Sequence, residues 1–190
     1  MWKAFKTRAQ SWSLVISNPT AVSTSEATKQ AHELRVLNLL LPTILDVTPE
    51  RVWKRESPDF EVMTTDNNLY VELVDAVPDA VSASSTMNLA QRRSRENRVP
   101  YHVKNEQFGE TIAREIAAKR NKANQWVSRE PALQGKLVLF VNGGHGSLWL
   151  RHYFCDARAL DAHVPLTVID PFAAIVLGDE TGAFVWGGTR

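Results

Sequence analysis

A single cysteine, Cys155, in 190 residues excludes an internal disulfide framework and any cysteine-rich zinc site. A reducing compartment is the simple inference. No run approaches the ~18 apolar residues that a membrane span needs. The apolar stretch Trp12 to Ile16, behind the basic segment Met1 to Arg8, is too short for the core of a signal peptide. A cytoplasmic protein is therefore expected, with no membrane partner. An excess of one charge is also missing. Lys and Arg number 22 against 21 Asp and Glu, a formal net charge of +1, so any basic surface for a polyanion must be local. There is no internal repeat and no long low-complexity tract. The glycine-rich turn Asn142-Gly143-Gly144-His145-Gly146-Ser147 lacks the lysine of a P-loop and the spacing of a dinucleotide fingerprint, so it reads as a strand-to-helix turn. His145 and His152 are not read as metal ligands, and Cys155 reads as a small buried apolar residue.

What remains is ordinary globular material. The 44% hydrophobic and 23% charged content suits a soluble fold, and the length suits one domain with a sizeable core. Residues 1–190 are expected to form that domain, with 1–22 as an N-terminal cover segment and 23–186 as the core.

The most informative stretch is Ser57 to Asp75. Two runs of β-formers, Ser57 to Thr64 and Leu69 to Asp75, flank Thr65-Asp66-Asn67-Asn68, which is turn chemistry. Leu69, Val71 and Leu73 then point one way, and Tyr70, Glu72 and Val74 the other. Pairing Thr64 with Leu69 sets Glu61 opposite Glu72 and Asp59 opposite Val74. Asp59 and Glu72 become diagonal neighbours, within reach of a shared ion. Carboxylates gathered on one face repel each other and so invite a cation, and hard oxygen ligands suit Mg²⁺ or Mn²⁺. A plain hairpin with a solvated acidic face is the alternative.

Two helices supply further polar candidates. Ser23 with Glu26 is a capping signature, and the helix it opens runs to about Leu41, with Pro42 at its end. Leu34, Leu37, Leu40 and Leu41 form its apolar stripe. Glu33 falls roughly 40° from Leu37, inside that stripe, where a carboxylate needs a partner. It either snorkels from the stripe's edge, pairs with a basic side chain, or joins the acids of the hairpin. The second helix spans about Asn105 to Arg129, with Phe108, Ile112, Ile116, Ala123, Trp126 and Val127 at spacings of three and four. Lys119 lies within roughly 20° of Ile112, in mid-stripe. Its ammonium either snorkels or reaches the acidic face of the hairpin.

Elsewhere the chain is basic in two places. Arg51, Lys54 and Arg55 precede Asp59 in a connection, Thr43 to Glu56, that reads as a solvated turn, with contact to phosphates as the alternative. Arg92, Arg93, Arg95 and Arg98 lie in a long irregular stretch, Asp75 to Lys104, that suits a nucleic-acid backbone, with Tyr101 available to stack. Gly135 to Asn142 is a near-continuous apolar strand, expected to be buried on both faces. A helix or irregular segment (Ser147 to Ala162), a strand (Val164 to Ile169) and a hairpin (Ala173–Leu177 with Ala183–Trp186) complete the order. The fold class expected is α/β, a mixed central β-sheet flanked by helices.

Pro58-Asp59, the hairpin, and Val71-Glu72-Leu73-Val74 resemble the core of the PD-(D/E)xK nuclease superfamily, the restriction-endonuclease-like fold. The resemblance implies that Asp59 and Glu72 hold a Mg²⁺ or Mn²⁺ ion for phosphodiester hydrolysis of nucleic acid, DNA above all. The superfamily carries a water-activating lysine two residues after the Glu; that position here is Val74, a departure from the pattern. Some members place the lysine on the following helix, which implies that role for Lys119. Many carry a Glu on the first helix, which implies Glu33, with Glu26 as second choice. Val74 also leaves open a non-catalytic member of the fold that binds nucleic acid or a protein partner. The sequence leaves a homo-oligomer open as well.

Overall fold

The computed structural model describes residues 3–4, 24–45, 49–76, 105–143, 169–179 and 182–188. Its centre is a mixed sheet built on β5 (Leu137–Asn142), whose six residues are all buried. That is the burial a continuous Leu-Val-Leu-Phe-Val run demands, because alternation would leave half of it in water. On one side of β5 lie β4 (Asn68–Asp75), β3 (Phe60–Met63) and the edge strand β2 (Arg51–Lys54). On the other lie β6 (Phe172–Asp179), β7 (Gly182–Gly188) and a two-residue strand β1 (Lys3–Ala4). The order is β1-β7-β6-β5-β4-β3-β2. β4, β5 and β6 run parallel, and the meander β2-β3-β4 and the hairpin β6-β7 are antiparallel.

Among the described residues one helix covers each face. α1 (Thr24–Leu40) packs Val36, Leu37 and Leu40 on Val52, Phe60, Val62, Val71, Val138, Phe140 and Val176. α2 (Asn105–Arg129) packs Ile112, Ile116 and Ala123 on Tyr70, Leu137, Leu139, Val141, Ile175 and Leu177. The alternation of β4 divides accordingly: Val71 joins the α1 core, and Tyr70 the α2 core. α2 is the crossover between the parallel strands β4 and β5. It ends at Glu130-Pro131, where proline cannot continue the backbone ladder, and a short 3-10 turn, Pro131–Leu133, follows. Gly135, at φ 70°, makes the left-handed turn into β5.

Several expectations change. The hairpin β3–β4 is shifted by two residues from the pairing anticipated: Glu61 faces Tyr70 and Val62 faces Leu69. The cause is Thr64. Its amide and its hydroxyl both donate to the Asn67 carbonyl (2.9 and 2.8 Å), and Asn67 N–H donates back to Thr64 Oγ1 (3.1 Å). The loop is thereby drawn in to Thr65-Asp66. A shift of two keeps every side chain on its face and changes only its neighbours. The Thr43–Glu56 connection is not merely a solvated turn, since Arg51–Lys54 is a strand that pairs with β3. Ile169 is not in a strand. The Ser23 cap, most of 1–22, Arg92, Arg93, Arg95 and Arg98, Tyr101, His145, His152, Cys155 and 164–168 lie outside the described residues. Among the described residues no helix is long and apolar enough to cross a membrane.

Candidate functional site

The corrected register brings Asp59 and Glu72 closer than a diagonal. Asp59 sits in the bend before β3, where the pairing of Glu61 with Tyr70 continues backwards to Glu72. The Asp59 amide donates to Glu72 Oε2 (3.2 Å), and the Leu73 amide donates to Asp59 Oδ2 (2.8 Å). Asp59 is thus oriented by the strand that carries Glu72, and Glu72 by the backbone of Asp59, which holds both side chains more firmly than packing alone would.

Glu72 points to the α2 side and is 5% exposed. Lys119, from the middle of the α2 stripe, forms a short ion pair with Glu72 Oε1. The stripe position explains this. The neighbouring stripe residues Ile112 and Ile116 are buried against the sheet, so a long side chain on that heading is carried along the sheet surface to its polar rim. Even with this partner the Glu72 carboxyl is pushed above its ordinary range. Burial is the largest cause and the Asp59 charge the next, and Lys119 only partly offsets them. Val74, two residues on, packs into the α2-side core, so β4 presents no ammonium there.

On the α1 side Glu33 is 8% exposed, as its place in the stripe anticipates. Its partner is Lys54 of β2, whose Nζ lies 2.8 Å from Glu33 Oε2, an ion pair rather than an aligned hydrogen bond. The same Nζ donates to Asp59 Oδ1 at 3.1 Å and lies 4.7 Å from the Phe60 ring centroid. Burial alone would lower the Lys54 pKa. The contact with Glu33 and the charges of Asp59 and Glu33 more than reverse that, and the pKa is raised. Lys29 reaches Glu33 at 3.7 Å from an exposed position one helical turn away. Glu26, the second choice on α1, is exposed.

The result is one line of charges across the rim: Glu33, Lys54, Asp59, Glu72, Lys119. Asp59, Glu72, Lys119 and Glu33 are brought together in this line. Glu33, however, meets Lys54 rather than the acid pair, and among the described residues no group of three or more His, Cys, Asp or Glu is placed to hold a metal ion. Lys54 is the member that sequence reasoning missed. The signal available was the alternation of β2: Val52 is buried on the α1 side, and Lys54, two residues on, shares its face with Glu33.

A second polar group lies farther along β4. His32 Nε2 contacts both oxygens of Asp75 (3.1 and 3.0 Å), and Asn142 Nδ2 donates to Asp75 Oδ1 at 2.6 Å. The His32 pKa is raised, chiefly by its hydrogen bond to Asp75, against the opposing effect of burial. No family model, no curated protein and no solved structure matches the chain.

Proposed function

We propose that the protein is a metal-dependent phosphodiesterase of the PD-(D/E)xK, restriction-endonuclease-like kind, acting on nucleic acid and most readily on DNA. The observation that carries the reading is the convergence of Asp59, Glu72 and Lys119 from a bend, a strand and a helix on one point of the sheet rim. Two carboxylates with an ammonium beside them are the groups that water activation on phosphorus needs.

The donor set fits Mg²⁺ or Mn²⁺. Each ion takes hard oxygens, and Mg²⁺ is commonly held by one or two carboxylates with water and substrate oxygens completing the shell. Every oxygen of Asp59 and Glu72 already accepts one hydrogen bond, and a carboxylate oxygen retains a further lone pair. The Glu72 pKa is raised first by burial and then by the Asp59 charge, and a cation bound between the two acids would offset both. When bound, the metal lowers the pKa of a coordinated water and stabilises charge on the phosphoryl group.

The chain's own residues do the rest. Asp59 is aimed by the Leu73 amide, and Glu72 by the Asp59 amide. Lys119 orients the attacking water and stabilises its deprotonated form, in the place that Val74 leaves apolar. Arg92, Arg93, Arg95 and Arg98 hold the substrate strand through its phosphates, which predicts binding that weakens steeply with salt.

The test is cleavage of plasmid and single-stranded DNA by the full chain with Mn²⁺, Mg²⁺ or EDTA, beside Glu72→Ala. The reading expects cleavage that needs metal and disappears in the variant. Equal cleavage in both would remove it. A second reading, a non-catalytic nuclease-fold protein that binds nucleic acid or a protein partner, is favoured by Val74 and by the protein donor already on each oxygen of the acid pair. It expects salt-sensitive DNA binding without cleavage, unchanged by EDTA and by Lys119→Met.

A further inference from the structure

The charges at the rim are shared unevenly between its two sides. On the α2 side one carboxylate, Glu72, meets one ammonium, Lys119. Lys54, by contrast, serves two carboxylates, at 2.8 Å from Glu33 Oε2 on the α1 side and 3.1 Å from Asp59 Oδ1. Lys29 does little to relieve this, because it is 69% exposed and its 3.7 Å contact is screened by water. Glu33 therefore depends on Lys54, and an uncompensated carboxylate at its depth would be expensive. The Lys54 ammonium stands over the ring of Phe60, itself fully buried, which helps to fix its position.

A compact cation already stands between these two carboxylates, one of them a proposed metal ligand, and supplies the positive charge that a second divalent ion would otherwise supply there. The geometry points to Lys54 as the permanent occupant of that second cation position: the protein takes one divalent ion, at Asp59 and Glu72, and Glu33 is held out of its ligand set. This rests on the proposed metal-dependent reading and deepens it. It reassigns Glu33 from metal ligand to counter-ion of a lysine. It makes Lys54 a positioning residue, which fixes the number of ions and steadies Asp59. A lysine suits this task because its ammonium is a point charge that cannot be displaced by dilution, unlike a weakly held second ion.

The experiment is a count of bound ions that does not depend on cleavage. Mn²⁺ is titrated into the full-length protein, with free Mn²⁺ followed by its paramagnetic resonance signal and heats by calorimetry. The wild type is expected to bind one ion. Glu33→Gln is expected to bind one ion with Kd changed by less than about fivefold, roughly 1 kcal/mol by the usual logarithmic relation. Lys54→Met, which keeps length and removes charge, is expected to bind two, and Lys54→Met with Glu33→Gln to bind one again. Circular dichroism and melting temperature report whether each variant is folded, and Glu33→Gln decides the matter if Lys54→Met is not. Two ions in the wild type, one in folded Lys54→Met, or a Kd weakened more than tenfold in Glu33→Gln would each overturn the inference while leaving the metal site standing. No ion bound by the wild type would remove the metal-dependent reading itself, and the inference with it.

Discussion

The same meander carries two polar networks, and they are built on different terms. Arg55, just after β2, donates to Glu61 (3.3 Å) and Glu130 (3.1 Å) and lies 5.0 Å from the Tyr70 ring centroid. It is half-buried, and Glu130 beyond it is 44% exposed. That group clasps the meander to the C-terminal end of α2. Water reaches it. The rim network Glu33, Lys54, Asp59, Glu72 and Lys119 sets three carboxylates against two ammonium groups, and two of the three, Glu33 and Glu72, are buried. Each network carries one carboxylate more than its cations. The clasp leaves that excess to water, whereas the rim holds it among buried carboxylates, where a bound cation would relieve it.

Breaking the rim should cost function most. Asp59→Ala is expected to reduce metal-dependent DNA cleavage to background, and Lys119→Met to lower it by about 10²–10⁴-fold, as for loss of a proton-handling group, with circular dichroism unchanged. Cleavage by Lys119→Met at the wild-type rate would show that the stripe lysine only neutralises Glu72.

The imbalance itself can be read without substrate. Mn²⁺ at a hundredfold its Kd is expected to stabilise the wild type by about 2.7 kcal/mol and to leave Glu72→Gln unmoved, seen as a shift in melting temperature. The sign of the Glu72 shift adds a pH dependence. Its folded pKa is raised, so the stability it contributes is fully present below 4.5 and is lost as pH rises through the folded value. Without metal, Glu72→Gln is therefore expected to melt at or above the wild-type temperature at pH 7, and that advantage should fade as the pH falls towards 4.5. Metal stabilisation runs the opposite way, disappearing as Glu72 takes up its proton. A melting temperature for Glu72→Gln well below wild type at pH 7 would mean that the Lys119 pair, not the buried excess of charge, dominates.

The clasp should behave as stability alone. Arg55→Met is expected to lose about 1–2 kcal/mol, the sum of two half-exposed ion pairs and a ring contact, and to keep cleavage within a few-fold. A hundredfold loss of cleavage in folded protein would erase the distinction between the two networks.

The smallest effect expected is at His32. Its folded pKa is raised by Asp75, with Arg35 opposing and Glu33 assisting. The stability it contributes is thus fully present below 6.5 and is lost as pH rises through the folded value. His32→Gln should cost under about 1 kcal/mol at pH 6, and less at pH 8.5, in paired denaturant titrations. An equal cost at both pH values would show that the ring contributes by packing.

Much of this was legible in the chain. The spacing of Ile112, Ile116 and Ala123 specifies α2, and the unbroken apolar run at Leu137 specifies a doubly covered strand. Glu33 and Lys119 stand out because each breaks an apolar stripe, and a charge in a stripe must be answered from elsewhere. The hairpin register was not legible. It turned on whether Asn67 and Asn68 sit in the loop or in the pairing, and the Thr64 hydroxyl decided that through bonds no pattern of hydrophobicity records. The partner of Glu33 was not legible either, since Lys54 read as one of three basic residues in a turn.

The sequence by itself determined which residues form the two helices, the buried strands and the acidic hairpin, because those depend on periodicity and on burying apolar area, which are local properties. Only the tertiary structure decided which charge meets which. Ion pairing depends on distances of a few ångströms between segments remote in the chain, 21 residues for Glu33 and Lys54 and 47 for Glu72 and Lys119. Those distances exist only once the sheet has twisted and both helices have docked.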